Sequence, residues 1–297
     1  MARSRTALRT ALVGASTTVL LLSLAACGGD TASSAEGSSE AGTCLDDIQA
    51  RGELRVGTVS NLPIDAVDAQ GDVIGINGDL LRDFIAETGI AESLATEPMP
   101  FSSLIPSIQT GKIDITSDTM FKTPEREAQI GFTGEVFYNP EGFLVRAGNP
   151  EDLHQLADLG EGTSVATYQG TVWVDWVQEL AAEQGVTPQI FPGANELHQA
   201  IAAGQVDAGL MSSAISSYMI NENPDLGTEL VEDYEPRSRQ GVVTHLGVPQ
   251  ECTDLQEEFD TFYEGYVGDG RMEALLTEWG VTPVEAYLDG IAGYTAS

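Results

Sequence analysis

Basic residues are scarce in this sequence. The 297 residues include only 13 Lys and Arg against 46 Asp and Glu, which gives a formal net charge of −33. Nucleic-acid binding depends on clustered basic side chains that neutralise phosphates, so this charge argues against a nucleic-acid partner. It also argues against direct binding to an anionic membrane surface. An acidic surface of this kind keeps a protein soluble or attracts cationic ligands.

The residues and motifs of metal sites and common enzymes are also missing. The three histidines and three cysteines lie far apart in the sequence, without the short spacings of a zinc site. There is no GxSxG motif for a serine nucleophile and no P-loop for a nucleotide. We therefore expect no metal, no cofactor and none of these enzyme activities.

The N-terminal segment has the pattern of an export signal. Three arginines precede an apolar run from Ala11 to Leu24, which is too short to span a bilayer comfortably. The run ends in Leu-Ala-Ala-Cys-Gly at residues 24–28, which resembles the lipobox of bacterial lipoproteins. The resemblance implies a signal peptide at 1–26 and a lipidated Cys27. The alternative is a secreted protein that is cut nearby, in which Cys27 is incidental.

A flexible linker follows this segment. Residues 28–43 are rich in Gly, Ser and Ala without apolar periodicity, so residues 27–43 are predicted to form a lipid anchor and linker. Once Cys27 is lipidated, Cys44 and Cys252 remain as a pair in an exported chain, where oxidising conditions favour a disulfide. We expect them to pair, which would place both ends of the folded region in one lobe.

Strand and helix signals alternate through the rest of the chain, which is typical of an α/β architecture. Predicted strands contain Leu54 and Val56, Ile113 and Ile115, and residues 164–167, 206–211 and 241–248. Predicted helices end at glycines 89, 111, 185 and 204. Thr123 and Pro124 are suited to begin another helix, and Thr253 with Gln256 predicts a capping box. The aromatic residues of that last helix, at 259, 262, 263 and 266, lie on one face and are predicted to be core.

Several short motifs in order resemble the extracellular solute-binding proteins of family 3, which serve polar amino-acid ABC transporters. The resemblance covers about Gly52 to Gly280. It rests on GELRVGT at 52–58, FSSLIPSI at 101–108, GKID at 111–114, TPER at 123–126 with FT at 132–133, YQGT at 168–171 and GQVDA at 204–208.

The resemblance implies a two-lobed periplasmic-binding-protein-like fold of type II. Each lobe would be a mixed sheet flanked by helices, and the ligand would lie in the cleft between the lobes. Lobe 1 would comprise residues 44–145 plus 241–297, and lobe 2 residues 146–240. Hinge closure near Val145 to Arg146 and Gln240 to Gly241 would bury the ligand, and the closed form would dock on a permease.

The resemblance also implies a carboxylate site. In the family the arginine of the Thr-Pro-Glu-Arg motif, here Arg126, grips the ligand's α-carboxylate, and a guanidinium matches a carboxylate bidentately. Gln169, Gly170 and Thr171 lie between a strand and a helix, where backbone amides favour an anion, and with Val172 they would complete the site. Phe101 stands where the family often covers the ligand side chain.

Departures from the family leave the ligand open. Phe121 replaces a hydroxyl residue that contacts the ligand, and Asp118 beside Thr119 occupies the earlier small polar position. Ser212 stands where many members place the aspartate that binds the α-ammonium group. Either Asp118 has taken over that duty, or the ligand lacks a primary α-ammonium, as in a betaine, a cyclic imino acid or an N-substituted amino acid. Further candidates without a known orientation are Asn61, Tyr138, Trp173 and Trp176.

These features predict a monomeric lipoprotein on the outer face of the bacterial cytoplasmic membrane, which the lipid alone attaches to the membrane. It would capture an amino acid or related small carboxylate-bearing zwitterion and deliver it to the permease subunits of an ABC importer. One alternative is an extracellular sensor that passes closure to a membrane signalling partner. Another is a dehydratase of cyclic acids, because a few relatives of this fold have that activity.

Overall fold

The computed structural model describes residues 43–237 and 243–295, and alternating strands and helices make up this part of the chain. The signal peptide, Cys27 and the hinge at Gln240 to Gly241 lie outside the described residues. None of the described helices has the length and apolar character needed to cross a membrane. The helices are α1 Cys44–Arg51, α2 Ile76–Thr88, α3 Leu104–Gln109, α4 Pro124–Glu127, α5 Trp173–Gln184, α6 Ala194–Ala202, α7 Ser213–Glu222, α8 Thr253–Gly268, α9 Arg271–Glu278 and α10 Glu285–Leu288.

The strands form two main sheets and three short pairs. They are β1 Glu53–Thr58, β2 Ala66–Val67, β3 Val73–Ile74, β4 Ser93–Pro98, β5 Ile115–Thr116, β6 Met120–Phe121, β7 Gly131–Phe132, β8 Glu141–Arg146, β9 Ser164–Tyr168, β10 Thr187–Phe191, β11 Ala208–Ser212, β12 Thr228–Leu230, β13 Thr244–His245 and β14 Gly247–Val248.

The first sheet has the strand order β4-β1-β5, and all of its pairs are parallel. The second sheet has the order β10-β9-β11-β8-β12 and is mixed, because β8 runs antiparallel to both of its neighbours. Helices flank both sheets, which confirms the predicted α/β fold class. Parallel strands end at the same edge of a sheet, so the loops after β4 and β9 are the places where a binding site is expected.

The chain enters the second sheet earlier than the sequence indicated. The prediction assigned residues up to Val145 to lobe 1, whereas β8 begins at Glu141 and pairs with β11, with Phe143 opposite Leu210. Phe143, Leu144 and Val145 are buried in the core, so this apolar run is a central strand of the second sheet. The chain therefore crosses between the sheets before Glu141.

The strand predicted at 241–248 is divided in the structure. Thr244 pairs with Phe121 through β13 and β6, whereas Gly247 pairs with Phe132 through β14 and β7. Each pair is two residues long, because this segment crosses two different neighbours in turn. It still crosses back beside the first sheet, with Gly247 N–H donating to Thr116 Oγ1 at 2.9 Å.

A disulfide joins Cys44 to Cys252, as the sequence predicted. It fastens the start of α1 to the start of α8, and Leu45 N–H donates to the Asp254 carboxylate at 2.8 Å across the same junction. The capping box predicted at Thr253 is wrong, because the disulfide-bonded Cys252 occupies the N-cap position and makes no side-chain cap. The aromatic stripe of α8 is buried as predicted, and Phe259 packs edge-on against Phe84 of α2.

Candidate functional site

A short helix after the first sheet holds the predicted arginine. Thr123 is the N-cap of α4 and its hydroxyl accepts a hydrogen bond from Arg126 N–H, while Pro124 occupies the first turn. Proline costs nothing there, because the first amides of a helix have no intrahelical acceptor. The Thr-Pro-Glu-Arg motif therefore builds one helical turn that points its arginine inward, and only 8% of Arg126 is exposed.

The Arg126 guanidinium contacts two backbone carbonyl groups, one at the end of β6 and one in the turn after β9. Its Nη1 donates to Phe121 O at 2.7 Å and its Nη2 donates to Gly170 O at 2.8 Å. The guanidinium carbon lies 5.8 Å from the centre of the Phe101 ring. Among the described residues no carboxylate lies within 4.0 Å of this guanidinium. Burial lowers the pKa of Arg126 to about 10, against a smaller opposing effect of Asp175, so it remains a cation at neutral pH.

A cavity of about 340 Å³, counting the part open to solvent, adjoins Arg126. Eight of the residues predicted from the sequence line it: Phe101, Asp118, Thr119, Phe121, Arg126, Thr171, Val172 and Ser212. The structure thus brings residues from the loops of the first sheet together with residues that follow β9 and end β11.

Three predicted residues do not line this cavity. Gln169 is exposed, while Gly170 takes part through its carbonyl oxygen. Asn61 is bound to Asp118: Asn61 Nδ2 donates a hydrogen bond to the Asp118 carboxylate at 2.9 Å. Ser212 does line the cavity, but its hydroxyl caps α7 and donates to Asn139 Oδ1 at 2.7 Å.

Six further residues line the cavity: Met120, Asn139, Tyr168, Trp173, Ile215 and Thr244. Trp173 was a candidate without orientation; Tyr138 and Trp176, the other two aromatic candidates, are not among the lining residues. Tyr168 adjoins the predicted Gln169 in sequence and could have been inferred from its place at the end of β9. Nothing in the sequence pointed to Asn139, Ile215 or Thr244, because they come from segments without a recognisable motif.

Two buried polar atoms of lining residues have no hydrogen-bond partner among the described residues. They are the hydroxyl oxygen of Thr119 and the indole nitrogen of Trp173. Burying such atoms unpaired costs free energy, so the site is ready to hydrogen-bond a ligand. Both can donate, as can the Arg126 guanidinium.

Asp118 belongs to a buried pair of acids. Asp65 accepts hydrogen bonds from the Ser117 hydroxyl and from the backbone N–H groups of Val59, Ser60 and Asn61. Burial, and then the nearby Asp65 charge, raise the pKa of Asp118 well above its usual range. Burial also raises the pKa of Asp65, against the hydrogen bonds that it accepts. The Asp118 carboxyl is therefore a poorer anion than an exposed aspartate.

The histidines take no part in this site. His198 is buried and its Nδ1 lies 2.8 Å from Thr228 Oγ1, and burial lowers its pKa to about 4. His154 is half exposed, and Asp233 and Asp152 raise its pKa. Within residues 43–237 and 243–295, no cluster of three or more His, Cys, Asp or Glu residues is arranged to hold a metal ion.

The sequence matches the profile of one known protein family and resembles several of its characterised members. The sequence profile of the bacterial extracellular solute-binding proteins, family 3, matches residues 54–282. The histidine-binding periplasmic protein of Salmonella typhimurium is 25% identical over 233 residues, which are 76% of this chain and 87% of that protein. The arginine-binding extracellular protein ArtP of Bacillus subtilis is 23% identical over 211 residues, 71% of this chain and 79% of that protein.

Solved structures show the same fold. An ancestral arginine-binding protein bound to arginine superposes with a TM-score of 0.69 at 28% identity, covering 77% of this chain and 98% of that one. EhuB in complex with hydroxyectoine has a TM-score of 0.70 at 19% identity, covering 82% and 94%, and supports the fold alone. These relatives are named as binding proteins, which confirms that this chain is a binding protein rather than an enzyme.

Proposed function

The chain belongs to the bacterial extracellular solute-binding proteins, family 3, and from that membership we propose that it captures a small carboxylate-bearing zwitterion for an ABC importer. An amino acid or a close derivative is the ligand class that its relatives suggest. The histidine-binding and arginine-binding relatives suggest this class of ligand, but they do not identify the individual ligand of this chain. Identity of about 25% leaves room for the residues that line the cavity to differ between this chain and these relatives.

The observation that carries this proposal is the buried Arg126 cation. A charge removed from water is stable only when a partner and hydrogen bonds offset its lost hydration. The described residues supply Arg126 with two carbonyl oxygens but no carboxylate within 4.0 Å. A ligand carboxylate beside the guanidinium would supply the missing charge, and charge-assisted pairs of this kind are among the strongest hydrogen bonds.

The contacts of Arg126 also suggest how the protein would close. Its Nη1 donates to Phe121 at the end of β6, and its Nη2 donates to Gly170 in the turn after β9 of the second sheet. We propose two lobes, residues 44–140 plus 243–295 and residues 141–237, that close on a ligand held by Arg126. The segments near residues 140 and 240 would then carry the hinge movement.

The proposal also covers the location of the protein, which would be attached by lipid to the outer face of the cytoplasmic membrane. Residues 1–26 would be removed as a signal peptide, Cys27 would carry the lipid, and residues 28–43 would tether a monomeric folded part outside the cytoplasmic membrane. The closed protein would then dock on the permease subunits of the importer. Mass spectrometry of the protein from a bacterial membrane tests this part, because a mature chain without lipid on Cys27 contradicts it.

The carboxylate site is tested with Arg126→Met and, as a matched control, Lys122→Met. Lys122 is an exposed cation four residues away whose ion pair with Glu127 lies outside the cavity. A thermal-shift screen of amino acids, imino acids, betaines and sugars first finds the ligand, because a ligand at about 100 times its Kd stabilises the fold by roughly 2.7 kcal/mol. Calorimetry on both variants then follows.

We expect Arg126→Met to weaken binding by about tenfold to a hundredfold, the value of a charge-assisted hydrogen bond of roughly 1.5–3 kcal/mol. Lys122→Met should leave affinity unchanged. An Arg126→Met affinity within about threefold of the original would overturn the proposed role. A screen in which only sugars bind would overturn the ligand class.

A further inference from the structure

The cavity offers hydrogen-bond donors more freely than acceptors. The Thr119 hydroxyl and the Trp173 indole N–H are buried without partners among the described residues. Two of the side-chain acceptors are already engaged: Asn139 Oδ1 accepts from the Ser212 hydroxyl at 2.7 Å, and Ser212 Oγ accepts from Ile215 N–H at 3.2 Å. This imbalance suits the anionic end of a ligand, which brings acceptors, but does not suit a group that brings donors.

The single acidic residue among those lining the cavity is not a free ammonium anchor. One oxygen of Asp118 accepts from Asn61 Nδ2 at 2.9 Å, and a second buried acid, Asp65, lies close enough to oppose its ionisation. Asn61 in turn is held by its backbone N–H, which donates to Asp65. A primary ammonium group would bring three N–H donors, and the Asp118 carboxyl, already bound to Asn61, would be the single acidic acceptor among the lining residues.

Aromatic residues surround the same space. Phe101, Phe121, Tyr168 and Trp173 line the cavity, and the Trp173 ring centre lies 5.8 Å from that of Phe121 and 6.2 Å from that of Tyr168. Both ring pairs are edge-on, at 82° and 65°, so the three rings present surfaces in different directions. Aromatic faces attract a cation without requiring any N–H donor from it, and quaternary ammonium groups are recognised in this way.

We propose that the ligand is a small carboxylate with a quaternary ammonium group, held by Arg126 at its anionic end and by the Phe121, Tyr168 and Trp173 rings at its cationic end. This inference rests on the proposed function, because it assumes the carboxylate at Arg126. It specifies that the nitrogen of the ligand is a quaternary ammonium group. The unpaired Thr119 hydroxyl and Trp173 N–H would complete the hydrogen bonds of the carboxylate.

The test uses ligands that differ only in N-methylation. Calorimetry of the purified protein compares glycine, N,N-dimethylglycine and trimethylglycine, and separately proline and N,N-dimethylproline. We expect affinity to rise by about tenfold or more from the primary amine to the quaternary one, because unpaired donors are removed and a cation meets aromatic faces. The isostere 3,3-dimethylbutanoate, in which an uncharged carbon replaces the quaternary nitrogen, should bind at least about tenfold more weakly than trimethylglycine.

Matched variants then locate the recognition. Trp173→Leu should weaken trimethylglycine binding by about tenfold, whereas Trp176→Leu should not, because Trp176 lies on the same helix outside the cavity and packs under Arg237. A loss of trimethylglycine binding of tenfold or more in Asp118→Asn would show that Asp118 is an ammonium anchor and would overturn the inference. If Trp173→Leu fails to fold, the wild-type comparison of methylated and unmethylated ligands still decides.

The outcomes separate this inference from the proposed function. If a primary amino acid binds more tightly than its trimethylated form and Arg126→Met weakens that binding, the quaternary class is overturned while the carboxylate site stands. Equal binding of trimethylglycine and 3,3-dimethylbutanoate overturns cation recognition by the rings. If none of these carboxylates binds but the thermal-shift screen finds another amino acid, the inference is overturned while the proposed function stands; if the screen finds no carboxylate-bearing ligand, both fail.

Discussion

At the level of single residues, Asp118 combines burial, a neighbouring acid and a place in the binding cavity. Because its pKa is raised in the folded protein, its contribution to stability is present at low pH and is lost as the pH rises through that raised pKa. We expect Asp118→Asn to be more stable than the wild type at about pH 8, and this gain to shrink towards about pH 5. Urea unfolding of both proteins at the two pH values measures the difference.

Asp225→Asn, the same substitution at an exposed position, is the control for that comparison. A gain for Asp118→Asn that is independent of pH, or that grows towards low pH, would show that the carboxyl is already ionised at little cost. The Asn61 hydrogen bond survives the change because an amide oxygen can still accept it.

The residues of the site were partly readable from the sequence, for identifiable reasons. Arg126 and its helix were predicted because Thr123 and Pro124 form a local signal whose meaning does not depend on the rest of the fold. The engagement of Ser212 by Asn139 was not predictable, because it joins residues 73 positions apart. The same holds for the neighbourhood of Asp65 and Asp118, which only the packing of two loops creates.

At the level of elements, helix α4 sets the position of Arg126 although it is only four residues long. Thr123→Ala removes the hydroxyl that accepts from Arg126 N–H, so we expect a loss of about 1 kcal/mol in stability. Ligand affinity should also fall by a few fold, because the guanidinium loses its fixed backbone support. Denaturant unfolding and calorimetry measure the two effects.

Thr123→Ser keeps a capping hydroxyl and should restore both properties. If Thr123→Ala and Thr123→Ser behave alike, the cap does not position the arginine. Other element ends were predictable in the same local way, as at Gly89 and Gly185, which both adopt the left-handed conformation that ends α2 and α5. Strand ends were less predictable: β8 begins at Glu141, before the apolar run Phe143 to Val145, whose sheet partners are set by tertiary contacts.

For the whole molecule, the net charge of −33 is the dominant electrostatic property. Self-repulsion among acids destabilises a compact state, and salt screens it with a Debye length of about 3 Å at 1 M. We expect the Tm to rise by about 2–4 °C between about 10 mM and 0.5 M NaCl, the effect of roughly 1 kcal/mol on a fold of this size. Differential scanning calorimetry gives the shift.

The same rise with KCl would identify screening as the cause, since screening depends on ionic strength and not on the cation. A Tm that is unchanged or falls with salt would mean that the acids are spaced widely enough to avoid repulsion. The fold itself was predictable at this level because six short motifs occur in one order. The ligand was not predictable, because its recognition depends on individual side chains that the packing of separate loops brings together.

Gly170 limits how closely the two sheets can approach. Its φ of +83° suits glycine, and a Cβ atom there would lie 2.9 Å from Ser102 Cα and 3.2 Å from the Phe101 ring. Any larger residue would act as a spacer between the loop after β4 and the turn after β9, and would move the Gly170 carbonyl away from Arg126. Because the side chain of Gly170 is only a hydrogen atom, the loop after β4 and the turn after β9 can lie this close together. The size of residue 170 therefore sets the minimum separation of the two segments and, with it, the smallest ligand that can contact both.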